Sequence, residues 1–237
     1  MTVRNALQLL FIGSLTLLFG VPGIVLALLL PGRTLKGKVF LRISKTYSRI
    51  ALFALGVKVS SRGLENIDVR KPYVFMANHA SHADSPALAS VIPHPLHWVF
   101  KKELSRIPVF GWVLLACGQI MVDRSDPEGA KAALRGALAG LSGNSSVMIY
   151  PEGTRSRDGK LQPFRKGGFR MALLAGLPIV PVRVSGTREI VAADSLRIRS
   201  GNVLVELFPP IPTAGRSAAE LMDRVREALL SGTQGPA

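Results

Sequence analysis

The sequence predicts an α/β fold, a sheet flanked by helices, behind an N-terminal helical membrane anchor. Three observations predict it. From Gly56 onward, short apolar runs alternate with stretches of helical period, which reads as strands and helices taken in turn. Before that, Ala6 to Leu30 runs without a charge for about the length a membrane-spanning helix needs. Between the two lies a basic stretch, Arg33 to Arg49, with apolar residues at helical spacing. The composition agrees with a folded chain: 48% of the residues are hydrophobic and only 19% charged, so a net charge of +15 does not make this a disordered basic protein. It does imply an anionic partner: nucleic acid, a lipid surface or a phosphorylated ligand.

The N-terminal 64 residues hold no acid and nine bases, eight of them after the apolar run. A cleaved signal peptide has a shorter apolar core preceded by positive charge, and no convincing small-x-small cleavage site follows here. Val21-Pro22-Gly23 interrupts the run, and proline breaks or bends a helix. Two readings fit: a kinked span, or a bent element that dips into one leaflet. In both, the bases from Arg33 to Arg49 lie on the cytoplasmic side. Their alternation with Leu35, Val39, Phe40, Ile43, Tyr47 and Ile50 describes an amphipathic helix suited to an anionic membrane surface. The expected organisation is therefore residues 1–55 as membrane-anchoring helices, 56–231 as the α/β domain and 232–237 as a disordered tail.

Within the domain, strands are expected at Val57–Ser60, Tyr73–Ala77, Leu96–Phe100, Ser146–Tyr150, Ile179–Val184 and Val203–Phe208. Helices are expected at Pro86–Val91, Val109–Ala116, Glu128–Leu141, Gly167–Ala175 and Ser217–Leu230. A single cysteine, Cys117, excludes an internal disulfide framework and a multi-Cys zinc site.

Three segments carry chemistry. Asn78-His79-Ala80-Ser81-His82-Ala83-Asp84 joins a strand to a helix, with Ser85 as a candidate N-cap and Pro86 in the first turn. Asp84 can fold back onto His79, fix its tautomer and stabilise its imidazolium, so that the other ring nitrogen acts as a general base. A base without a protein nucleophile suits a hydroxyl supplied by the substrate. Read as metal ligands, His79, His82 and Asp84 miss the spacing of metallo-hydrolase runs by one residue, with Ser85 where a second metal's ligand should stand; no metal is expected. The second segment, Tyr150-Pro151-Glu152-Gly153-Thr154-Arg155-Ser156, follows a strand and leads into further bases. The third runs from Lys101-Lys102 through Pro108 and Gly111 to Gly118 and Arg124. Arginine and lysine in such turns are phosphate candidates.

Together these segments resemble the four motifs of the glycerolipid acyltransferases, specifically the lysophosphatidic acid acyltransferase group. Asn78-His79-x-Ser81-x-x-Asp84 is similar to the first. Lys102-x-Leu104, Pro108, Gly111 and Gly118-x5-Arg124 resemble the second. Pro151 to Ser156 matches the third, with Tyr150 in place of the common Phe, and Val180-Pro181-Val182 resembles the fourth. Phe164-x-x-Gly167 also fits, and the likeness covers roughly Val57 to Phe208.

The resemblance implies the glycerolipid acyltransferase fold and the roles. His79, oriented by Asp84, would deprotonate the sn-2 hydroxyl of lysophosphatidic acid, which attacks the thioester of acyl-CoA or acyl carrier protein directly and gives phosphatidic acid. Lys102, Arg124, Glu152 and Arg155 would shape the acceptor site, with Asn78, Ser81, Gly153 and Thr154 in the same substrate-binding set. No cofactor is implied beyond the thioester co-substrate. The implied place is the cytoplasmic face of a bacterial membrane, and the excess of 20 Arg over 10 Lys points the same way, to a GC-rich bacterial source.

The motifs leave another acceptor open, such as a lyso-ornithine lipid. A non-catalytic basic membrane-surface protein is the alternative of another class. Nucleic-acid binding is not expected, because aromatics are 6% of the chain and do not interleave with the bases.

Overall fold

A computed structural model describes residues 2–123, 125, 126, 129, 132, 133, 135, 136 and 143–232. Two long helices come first, α1 (Val3–Leu29) and α2 (Arg33–Ala54). The domain then runs β1 (Val57–Arg62), β2 (Val74–Ala77), α3 (Asp84–Val91), β3 (Leu96–Lys101), α4 (Phe110–Ala116), β4 (Ile120–Val122), β5 (Ser146–Ile149), α5 (Lys166–Ala175), β6 (Ile179–Ser185), α6 (Thr187–Ile190), β7 (Gly201–Leu207) and α7 (Ala218–Ser231). The strands form one sheet in the order β1-β7-β6-β2-β5-β3-β4. Every pairing is parallel except β6 with β7. The five strands from β6 to β4 therefore share one carboxyl edge, and the candidate residues leave the sheet along it.

Burial on both faces explains why the central strands read as apolar runs. Successive side chains of β2 point to opposite sides: Phe75 and Ala77 pack with Leu88 of α3, while Val74 and Met76 pack with Phe169 of α5 and Leu221 of α7. Both clusters are fully formed, so the domain is three layers deep around its sheet.

Several elements differ from the sequence reading. Pro22 does not divide the apolar run, and α1 continues through it to Leu29. At 1.5 Å per residue α1 is roughly 40 Å long, enough to cross a hydrocarbon core. The basic helix extends to Ala54, and most of its apolar face is spoken for by protein rather than lipid. Phe40 is buried against Ala27 and Cys117, and Tyr47 meets Thr16 by a 3.1 Å hydroxyl pair and Phe19 edge-on. Only Leu35 and Ile50 of the six stay exposed. The α1–α4 contact is close because Gly20 lacks a side chain: a Cβ there would stand 2.6 Å from Val109 Cγ1.

Strand β4 and helix α6 are additional elements. Both are too short, at three and four residues, to show a period. The expected helix Glu128–Leu141 falls largely outside the described residues, as do Arg124 and residues 233–237 of the expected tail. Gly232 is fixed: its carbonyl accepts a 2.6 Å bond from Arg183.

His94 is fully buried at the opposite end of the sheet from the site. Its Nδ1–H donates to the Asn144 carbonyl at 3.3 Å, and Nε2 meets no polar partner among the described residues. Burial pushes its pKa below the ordinary 6.5, so the folded protein holds it neutral. The unfolded chain takes up this proton first as pH falls. Stability is therefore complete above about pH 6.5 and is lost as pH falls through the lowered folded value. Thermal melts from pH 7.5 to 5 should show this slope, and His94→Phe, which packs beside Tyr73 and Phe75 without titrating, should reduce it and leave the share that comes from His82.

Candidate active site

The loop after β2 carries the pair expected from sequence. Asn78 fastens it: its side-chain amide donates to the Val184 carbonyl at 2.9 Å and accepts from the Val184 N–H at 2.7 Å, imitating one more rung of the β2–β6 ladder. His79 follows. Helix α3 begins at Asp84 rather than after a Ser85 cap; the Ser85 hydroxyl pairs with the Tyr150 hydroxyl at 2.9 Å instead.

Asp84 is wholly buried, and its carboxylate gathers the loop around it. Oδ2 accepts from Ala80 N–H, Ser81 N–H and His79 Nδ1, each at 2.8 Å, and Oδ1 accepts from the Thr187 hydroxyl. Four donors hold a charge that would otherwise be costly to bury. Because Nδ1–H donates to Asp84, the neutral ring of His79 keeps its lone pair on Nε2. The His79 side chain is 20% exposed, which gives that nitrogen access to a ligand.

Tyr150 braces the ring from one side. Its phenol stacks on the imidazole with centroids 3.8 Å apart and planes 12° off parallel. Burial, and next the charge of Asp84, push its hydroxyl well above the ordinary 10, so it stays protonated. From the other side of the loop, Glu152 Oε1 accepts the His79 backbone N–H at 2.6 Å, and Oε2 accepts Gln162 N–H at 2.7 Å. Burial raises the Glu152 pKa, opposed by these two backbone bonds.

The structure thus sorts the expected binding residues into two kinds. Asn78, Ser81 and Glu152 point inward. Ser81 is fully buried, donating to the Val191 carbonyl at 2.6 Å and accepting from Ala83 N–H at 2.9 Å. These three are occupied by protein, and they hold the loop that presents His79. A buried carboxylate such as Glu152 would moreover repel a phosphate. Gly153, Thr154, Arg155 and Lys102 lie toward the surface. Gly153 turns the chain at φ 75°, a region open to glycine, and Thr154 is exposed. Arg155 donates to His82 Nε2, and burial and then this cation lower the His82 pKa, so His82 is the neutral partner. Lys102, at the carboxyl end of β3, pairs with Asp123 at 2.9 Å, just beyond β4. Arg124, the remaining expected cation, lies outside the described residues.

Two contributors, Thr187 and Gln162, had no motif to betray them, and Tyr150, which stands in one, gave no sign of its stacking on His79. Thr187 was open to inference, since strands β2 and β6 pair in parallel and place the residues beyond Ser185 beside those beyond Ala77.

The arrangement is an imidazole fixed in one tautomer by a buried carboxylate, chemically able to accept a proton at Nε2, with surface cations along the same sheet edge. Comparisons with known proteins give the family. The family model described as Acyltransferase matches residues 58–185. The chain is 31% identical over 209 residues to a 1-acyl-sn-glycerol-3-phosphate acyltransferase of Limnanthes douglasii, covering 86% of this chain and 72% of that one. It is 30% identical over 204 residues to the alpha form from Homo sapiens, covering 84% and 71%. The crystal structure of PlsC, the 1-acyl-sn-glycerophosphate (LPA) acyltransferase of Thermotoga maritima, matches with a TM-score of 0.82 and 26% identity over 99% of each chain.

Proposed function

The chain belongs to the Acyltransferase family, and we propose that it transfers a fatty acyl group from a thioester, acyl-CoA or acyl carrier protein, to the sn-2 hydroxyl of 1-acyl-sn-glycerol 3-phosphate. The observation that carries this reading is the His79–Asp84 pair at the carboxyl edge of the parallel strands. His79 Nε2 takes the proton of the acceptor hydroxyl as its oxygen attacks the thioester carbonyl. A C–O bond forms and, as the tetrahedral centre collapses, the C–S bond breaks. The thiolate leaves and takes up the proton from the imidazolium. Asp84 stabilises that imidazolium throughout. No acyl-enzyme is needed, in keeping with the burial of Ser81 and Cys117.

Lys102 and Arg155 supply positive charge on the site's own edge for the acceptor phosphate. The membrane reading rests on α1, whose mean hydropathy over 18 residues is 2.3 and whose side chains are largely exposed. With α1 in the bilayer, the site meets a lysolipid in the leaflet and a thioester from the water.

An acceptor panel tests the reading. Thiol release from acyl-CoA by the full-length protein in mixed micelles should depend on added lysophosphatidic acid. Release with a lyso-ornithine lipid alone would replace the acceptor. Binding to anionic vesicles with no release from acyl-CoA or acyl carrier protein would overturn the catalytic reading.

A further inference from the structure

We propose that the segment from Lys102 to Leu115, beside α1, is a second membrane-docking element whose occupant is an anionic lipid leaflet. This rests on the membrane-surface reading above. Elsewhere in the α/β domain, exposed large apolar side chains such as Val69, Leu174, Leu196 and Leu230 stand singly, as is ordinary for a soluble surface. Here four crowd into nine residues: Ile107 is 45% exposed, Phe110 44%, Trp112 53% and Leu115 46%. On α4, Trp112 and Leu115 stand three residues apart and share one face; exposed apolar side chains paired in this way mark a contact, and a tryptophan beside an aliphatic side chain suits the interface between headgroups and acyl chains.

Charge names the occupant. Lys101 and Arg106 precede the apolar group, with Lys102 between them paired to Asp123, and Glu103 is the one acid between Lys101 and Cys117. Bases flanking an inserted apolar cluster suit anionic headgroups. The element is also continuous with α1, because Gly20 of that helix seats Val109 and Val113. It starts at the carboxyl end of β3, the sheet edge that carries His79, so docking would bring the site itself down to the leaflet.

The backbone shows that this presentation is held rather than incidental. Val109 has φ 62° and ψ −58°, and Phe110 N–H donates to the Pro108 carbonyl at 2.7 Å. This is the strained hand of the γ-turn, imposed on a β-branched residue. Val109 is the one non-glycine residue with positive φ among those described. Strain of this kind persists where the surroundings impose it, and it collects at working sites.

The test uses the full-length protein in vesicles of phosphatidylglycerol and phosphatidylcholine. The Trp112 signal is taken as the emission difference between the wild type and Trp112→Phe. Phospholipids brominated along the acyl chain should quench it. Trp112→Ser with Leu115→Ser should raise the surface concentration of vesicle-borne acceptor needed for half-maximal rate by about tenfold. Turnover on a soluble short-chain acceptor and the melting temperature should be unchanged.

A Trp112 signal that brominated lipid leaves unquenched overturns the proposal. So does a concentration-dependent dimer that the double substitution dissociates, which would assign the face to a second copy. Quenching requires no turnover. Quenching without acyl transfer to any acceptor would therefore sink the enzymatic reading alone, and turnover with Trp112 unquenched would sink the docking element alone.

Discussion

Replacing His79 by alanine is expected to lower acyl transfer by about three to four orders of magnitude, the upper range for removal of a positioned general base. The fold should survive. The imidazole makes one side-chain bond, to Asp84, whose carboxylate keeps its bonds to Ala80 N–H, Ser81 N–H and the Thr187 hydroxyl. The His79 N–H that Glu152 holds is backbone and stays. Thiol release with acyl-CoA and lysophosphatidic acid measures the first statement, and a thermal melt the second. A variant that melts like the wild type and retains a tenth of its rate would remove His79 from the chemistry.

How much of this site could be read from the residues depends on how far along the chain its members lie. His79 and Asp84 stand five apart in one strand-to-helix loop, so the pair follows from local reasoning. Thr187 and Glu152 reach the same loop from 103 and 73 residues away, and only the strand order brings them there. Spacing could place Glu152 in the turn after a strand, but not show that its carboxylate faces inward. That outcome depends on two backbone N–H groups needing an acceptor, His79 from one loop and Gln162 from another. Ser81 is the same case: a hydroxyl in a motif invites a role toward substrate, whereas a buried carbonyl at Val191 claims it.

The fold shows a similar boundary. Strands β2, β5, β6 and β7 are dense in β-branched and apolar residues and were legible as strands. Strand β4 is defined by its pairing with β3, which a three-residue run cannot announce. Proline at position 22 does not break α1. One lost backbone bond breaks a marginal helix, but α1 has 19 residues before it and seven after. The amphipathic pattern of α2 was real, yet amphipathicity does not say what covers the apolar face. Here α1 and the domain cover most of it, which leaves Leu35, Ile50 and Phe53 of α2 exposed beside the apolar side chains of α1 and α4.

The second large effect concerns Asp84, and the choice of substitute decides what is learned. Alanine would leave three N–H groups and a hydroxyl facing a void, and unsatisfied buried donors cost about 1–3 kcal/mol each. Asp84→Ala should therefore unfold the loop, and its inactivity would say nothing about catalysis. Asparagine has nearly the same shape. With its carbonyl in the place of Oδ2 it can still accept from Ala80, Ser81 and His79, and the Thr187 hydroxyl can rotate to accept from its amide. The expected stability cost is about 1–3 kcal/mol, from bonds that have lost their charge.

The catalytic cost should be larger. A neutral amide cannot balance an imidazolium, and an amide turned the other way would donate to Nδ1 and move the ring proton to Nε2, the position that must accept. Asp84→Asn is expected to lower turnover by about two to four orders of magnitude, mostly in kcat. Its melting temperature should fall by only several degrees. An Asp84→Asn protein that folds and turns over within a few-fold of the wild type would show that the carboxylate serves the loop alone. His79 would then act as the base without a charged partner.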